Sequence, residues 1–68
     1  MSLYNAVEQR IINQVKAEPR VHDYWPIVEK LAREKFKRLA IIKALENLYR
    51  EACVIDKVAG HGFQYVGR

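Results

Sequence analysis

The sequence predicts an α+β domain, a three-helix bundle followed by a C-terminal β-hairpin. Three observations carry that expectation. Apolar residues recur at steps of three and four from Leu3 to Ala52. From Cys53 onward the period drops to two, in runs rich in β-branched and aromatic residues. The segment Ala59-Gly60-His61-Gly62 divides those runs and supplies the glycines a tight turn requires.

The first helix places Leu3, Val7, Ile11 and Val15 on one face, with Tyr4 and Ile12 alongside. Glu8, Gln9, Asn13, Gln14 and Lys16 fall mostly on the other face. Glu18-Pro19 stops the helix, because a residue before proline avoids the α region. Arg20-Val21-His22 is a connector with the makings of a short strand. The second helix starts near Asp23, an N-cap type, and tolerates Pro26 in its first turn, where amides lack helical partners. Its apolar stripe is Ile27, Val28 and Leu31 with Ala32, and it ends near Arg33 or Glu34. The third helix runs from about Lys37 to Ala52 and has the clearest amphipathic pattern in the chain. Ile41, Leu45, Leu48 and Ala52 share one face, flanked by Ile42 and Tyr49. Ala40, Lys43, Asn47 and Arg50 form the opposite stripe. Phe36 plugs the corner between the second and third helices. The hairpin pairs Cys53–Val58 with Phe63–Val66, packs through Val54 and Phe63, and turns at Gly60 and Gly62, with Gly62 expected at positive φ.

All 68 residues are expected to form one domain. A chain this short buries only about 60% of the surface its unfolded form exposes, so stability is marginal. Half of the residues are hydrophobic and 29% are charged, the profile of a globular domain rather than a disordered tail. A single cysteine excludes an internal disulfide and fits a reducing setting. That suits an intracellular protein, in the cytoplasm of a prokaryotic or virus-infected cell or in a nucleus. No apolar run reaches the length of a membrane span, and the N-terminus has no signal-peptide pattern.

Charge is unevenly placed. Residues 1–34 carry five basic and five acidic side chains, whereas residues 35–68 carry seven basic and three acidic, so the whole net charge of +4 lies in the second half. Lys35, Lys37, Arg38 and Lys43 follow one another with no anion between them. Such asymmetry points either to a polyanionic partner or to a solvated basic face.

The segment Ile41-Ile42-Lys43-Ala44-Leu45-Glu46-Asn47-Leu48-Tyr49-Arg50-Glu51-Ala52-Cys53-Val54-Ile55, set in an order of three helices and then a hairpin, resembles the winged helix-turn-helix superfamily. Leu45 and Leu48 match the paired leucines of a recognition helix, Ala52 stands where glycine is frequent, and Val54 stands at the first buried strand position. The likeness extends over roughly Leu3 to Val66. It departs from the pattern between the second and third helices, where Arg33-Glu34-Lys35-Phe36-Lys37-Arg38 has no glycine and no Ser or Thr cap. The chain has no threonine and only Ser2, so Lys, Arg, Asn, Gln and backbone amides must make any phosphate contacts.

The resemblance implies binding to double-stranded DNA by a small transcriptional regulator that works as a homodimer. A helix fits the major groove, where Lys43 can donate to guanine, Asn47 can pair with adenine in bidentate fashion, and Ala40 can meet a thymine methyl. Arg50 lies nearer the backbone. Lys35, Lys37 and Arg38 sit at the helix start, where amides and dipole favour phosphate. Lys57, His61 and Arg68 extend the positive surface along the wing. Winged helices also serve as protein-interaction modules, and that alternative stands beside DNA binding. The first helix and Tyr4 or Trp25 lie away from the basic half and are the candidates for a dimer interface. Catalysis finds no support, because no serine stands near a base and no glycine-rich phosphate loop exists. No cofactor, metal or small-molecule ligand is expected. His22 and His61 lack neighbouring metal-ligand types, and Cys53 is expected to be a buried structural residue.

Overall fold

Helix α1 begins later than its apolar spacing suggests, because Asn5 caps it. In the computed structural model, which describes residues 3–58, 60 and 62–66, α1 spans Ala6–Ala17. The Asn5 side-chain oxygen accepts the Glu8 amide at 2.8 Å, and the Glu8 carboxylate accepts the Asn5 amide at 3.0 Å. This capping box satisfies two donors that have no helical partner. Leu3, expected on the buried face, therefore precedes the helix and is 93% exposed. Ile11, Ile12 and Val15 are buried as expected. Glu8 is buried with them, although it was expected on the outer face. It lies three and four residues before Ile11 and Ile12, on the stripe they define. Glu18 ends the helix.

The connector forms a strand, β1, of two residues, His22–Asp23. Helix α2, Tyr24–Arg33, follows directly, with Asp23 in the N-cap place but making no side-chain cap bond. Ile27, Val28 and Leu31 are its buried face. Its end is a left-handed cap built without glycine. The Phe36 amide donates to the Leu31 carbonyl and the Lys35 amide to the Ala32 carbonyl, the Schellman pair of bonds. Lys35 takes the left-handed position at φ 75°, and Phe36 packs against the core beyond it.

Helix α3, Arg38–Arg50, is shorter at both ends than the periodicity implies. Lys37 is its N-cap residue and has no capping oxygen to offer. Ile41, Ala44, Leu45 and Leu48 are buried, and α3 packs against both other helices. Ala52 lies beyond the helix and is half-buried. The turn into the next strand is made by Cys53 at φ 55°, bridged by the Val54 amide donating to the Leu48 carbonyl at 2.9 Å. Cys53 is exposed, not buried as expected. The left-handed residue turns outward there, and Val54 fills the core in its place.

Strands β2, Ile55–Val58, and β3, Gly62–Tyr65, form the hairpin. The sheet is antiparallel in the order β1-β3-β2. Phe63 faces Lys57 on one side and His22 on the other. The His22 ring is buried, stacks on Phe63 with centroids 6.0 Å apart, and donates from Nε2 to the Glu18 carbonyl at 2.8 Å. Gly60, at φ 80°, holds the positive-φ position expected of Gly62. At Gly62, which is buried, space is tight: a Cβ there would lie 2.9 Å from Val21 Cγ1, and that side chain would have to shift.

Lys35 and Cys53 each carry a side chain through the left-handed region, which costs roughly 1–2 kcal/mol for an L-residue. Lys35→Gly and Cys53→Gly are therefore each expected to stabilise the domain by about 0.5–1 kcal/mol, after the added flexibility of the unfolded chain is subtracted. Thermal unfolding should show a rise of a few degrees for each. A fall in both would mean that neither turn has the described conformation.

Candidate nucleic-acid interface

With Ile41, Ala44, Leu45 and Leu48 turned inward, the opposite line of a helix at 100° per residue runs through Leu39, Lys43, Glu46 and Arg50. All four are exposed. The stripe expected from sequence, Ala40, Lys43, Asn47 and Arg50, is thus displaced toward α1. The cause is Ala44, which is buried. Ala40 and Asn47 stand one turn either side of it and share its side of the helix. Ala40 is half-buried. Asn47 does not project freely, since its Nδ2 donates to the Glu8 carboxylate of α1 at 2.5 Å.

Glu8 thereby accepts from the Asn5 amide and from the Asn47 amide group. A buried carboxylate costs several kcal/mol unless donors surround it. These bonds join the start of α1 to the C-terminal half of α3.

The basic residues fall into two groups. Lys35, Lys37 and Lys43 are exposed and have no ion-pair partner among the described residues. Lys35 and Lys37 belong to the turn before α3, and Lys43 stands on its outermost line. Arg38 and Arg50 are paired. Arg38 reaches back to α2 and grips Glu29 with two bonds, of 3.2 and 2.9 Å. Those hydrogen bonds hold the Glu29 carboxyl below the usual carboxylate range and raise the Arg38 guanidinium above its own. Arg50 pairs with Glu46 one turn earlier at 2.5 Å. Exposed pairs of this kind contribute about 0–1 kcal/mol, so a phosphate can recruit either guanidinium.

The charge along α3 is polarised as a result. Its C-terminal half carries the neutral Glu46–Arg50 pair. Its N-terminal half and the preceding turn carry three unpaired ammonium groups, and the positive end of the helix dipole adds to them. Glu46 and Leu39 are the members of this face that sequence reasoning missed. Both follow from Lys43 by helical spacing, at i+3 and i−4.

On the hairpin, the Lys57 ammonium lies 4.8 Å from the centre of the Tyr49 ring. Beside that contact, Tyr24, Trp25, Tyr49 and Phe63 line a cleft of about 260 Å³ between α2, α3 and the hairpin. Burial pushes the Tyr24 phenol up, and the Glu46 charge pushes it further. Two residues expected to extend the positive surface, His61 and Arg68, lie outside the described residues. No helix among the described residues is long and apolar enough to cross a membrane. Comparison with protein-family models, with curated proteins and with solved structures finds no match to this chain.

Removing the Asn47 amide takes a donor from a buried carboxylate. Asn47→Ala should destabilise the domain by about 1–3 kcal/mol, while Lys43→Ala, which removes an exposed unpaired ammonium, should stay within about 0.5 kcal/mol of the parent. Chemical denaturation of the two variants measures both. Equal stability of the two would mean that the Glu8–Asn47 bond contributes nothing.

Proposed function

We propose that this chain is a small double-stranded DNA-binding domain of the winged helix-turn-helix kind, serving transcriptional regulation. The observation that carries the proposal is the cluster of unpaired Lys35, Lys37 and Lys43 around the first half of α3, on a helix face with no other element over it. The order of three helices and then a hairpin agrees with it.

In this reading the N-terminal half of α3 enters the major groove. Lys43 meets base edges and donates to guanine acceptors. Lys35 and Lys37, at the mouth of the helix, meet phosphates. Arg38 exchanges Glu29 for a phosphate oxygen at little cost, because both partners are exposed. Lys57 contacts the backbone from the hairpin, steadied by the Tyr49 ring. Asn47, held by Glu8, fixes the roll of α3 against α1 instead of reading bases. Two copies on a two-fold site complete the assembly, since one domain of this size reads few base pairs.

A second reading, a protein-interaction module, draws on the cleft lined in part by Trp25, a residue that is 55% exposed. The two readings differ in salt dependence and in which residues matter.

Titration of a fluorescent duplex across a series of salt concentrations tests the proposal, with stoichiometry read from the same curves. Lys35→Ala and Lys37→Ala should each lower the slope of log affinity against log salt by about 0.9 unit and weaken all duplexes alike. Lys43→Ala should cost about 1–3 kcal/mol on a preferred site and less on random DNA. Affinity that is flat with salt, or unchanged in all three variants, favours the interaction module.

A further inference from the structure

Leu39 is the most exposed large apolar side chain in any described helix or strand, at 73%. Single exposed leucines are ordinary on protein surfaces, and exposure alone would carry nothing. Its position is what distinguishes it. Leu39 lies in the first turn of α3, one turn before Lys43 and on the same outermost line. The cations Lys35 and Lys37 precede it in the adjoining turn. An uncharged, branched side chain thus stands between the unpaired Lys35 and Lys37 on one side in the chain and the unpaired Lys43 on the other, where a lysine or arginine would serve nonspecific attraction better. Ala40, the apolar residue that sequence alone offers for contact with a base, is half-buried and turned toward α1.

In the major groove one base feature is apolar, the 5-methyl group of thymine. Recognition helices present their N-terminal residues to base edges. We infer that Leu39 is a specificity-determining residue that packs on a thymine methyl beside the base pair met by Lys43. This inference rests on the DNA-binding reading above and extends it to a named base feature. Covering one methyl group contributes about 0.8 kcal/mol, which is about fourfold in affinity. Leu39 also leaves water only on binding, because in the free domain it covers no part of the core.

The test replaces thymine by deoxyuridine, which removes the methyl group and keeps every hydrogen-bonding atom. A preferred duplex is selected from a random library with the full chain, and each thymine in it is replaced in turn. The parent chain should lose about fourfold in affinity at one or two positions. In Leu39→Ala the same replacements should change affinity by less than about 1.5-fold, the loss of coupling that a double-mutant cycle measures. Its melting temperature should equal that of the parent, since the side chain is exposed. Deoxyuridine sensitivity that persists unchanged in Leu39→Ala overturns the inference, as does its absence from the parent at every position. Both of those results leave DNA binding standing. A parent chain that binds no duplex at low salt overturns the DNA-binding reading and this inference with it.

Discussion

Strand β3 pairs along both edges, and the arrangement of the domain depends on it. On one side it takes four residues of β2 across a tight turn, a contact local in sequence. On the other it takes His22 and Asp23, about forty residues earlier. That second pairing is short, and it is reinforced by side chains: His22 stacks on Phe63 and donates to the carbonyl that ends α1. One buried imidazole therefore joins the end of α1, the start of α2 and the centre of the sheet. Because α2 begins at the residue after β1, the pairing also sets where α2 leaves the sheet, and α3 packs against α2.

The orientation of α3 is fixed from two further directions. Arg38 and Glu29 join its first turn to α2, and Asn47 and Glu8 join its last turns to α1. The first contact is exposed and contributes little to stability. The second involves a buried carboxylate, where losing a donor is costly. The more buried polar contact of α3 thus lies in its C-terminal half, one turn beyond Lys43, and the first turn, next to Lys35 and Lys37, has only an exposed ion pair. On the proposed DNA-binding reading that division is useful. The basic end of α3 stays open to exchange partners while its other end holds position.

Much of this was legible in the sequence. The apolar steps of three and four fixed Ile11, Val15, Ile27, Leu31, Ile41, Leu45 and Leu48 as core, and all are buried. The change of period at Cys53 located the hairpin. What escaped was polar or depended on backbone conformation. Glu8 carries a charge, so a hydrophobic pattern reads it as surface, although Asn5 and Glu8 at a spacing of three form the capping signature that explains it. Lys35 and Cys53 occupy left-handed positions that glycine usually marks, and no sequence rule points to lysine there. Ala44 contributes too little apolar area to register in a helical wheel, yet its burial displaces the outward stripe from Ala40 and Asn47 to Leu39 and Glu46. That displacement changes which side chains of α3 face outward. It is also the step at which a helix pattern alone stops being a guide to function.

In the proposed reading, the N-terminal half of α3 and the turn before it form the face that meets DNA. The most direct measurement is the backbone amide spectrum of the isotopically labelled chain, recorded as a duplex of a preferred sequence is added. The account predicts that shifts concentrate at Lys35 to Lys43 and at Lys57, with Ile11, Val15 and the amides around Trp25 unmoved. Shifts confined to the cleft lined by Tyr24, Trp25 and Tyr49, or spread over the outer face of α1, would contradict it.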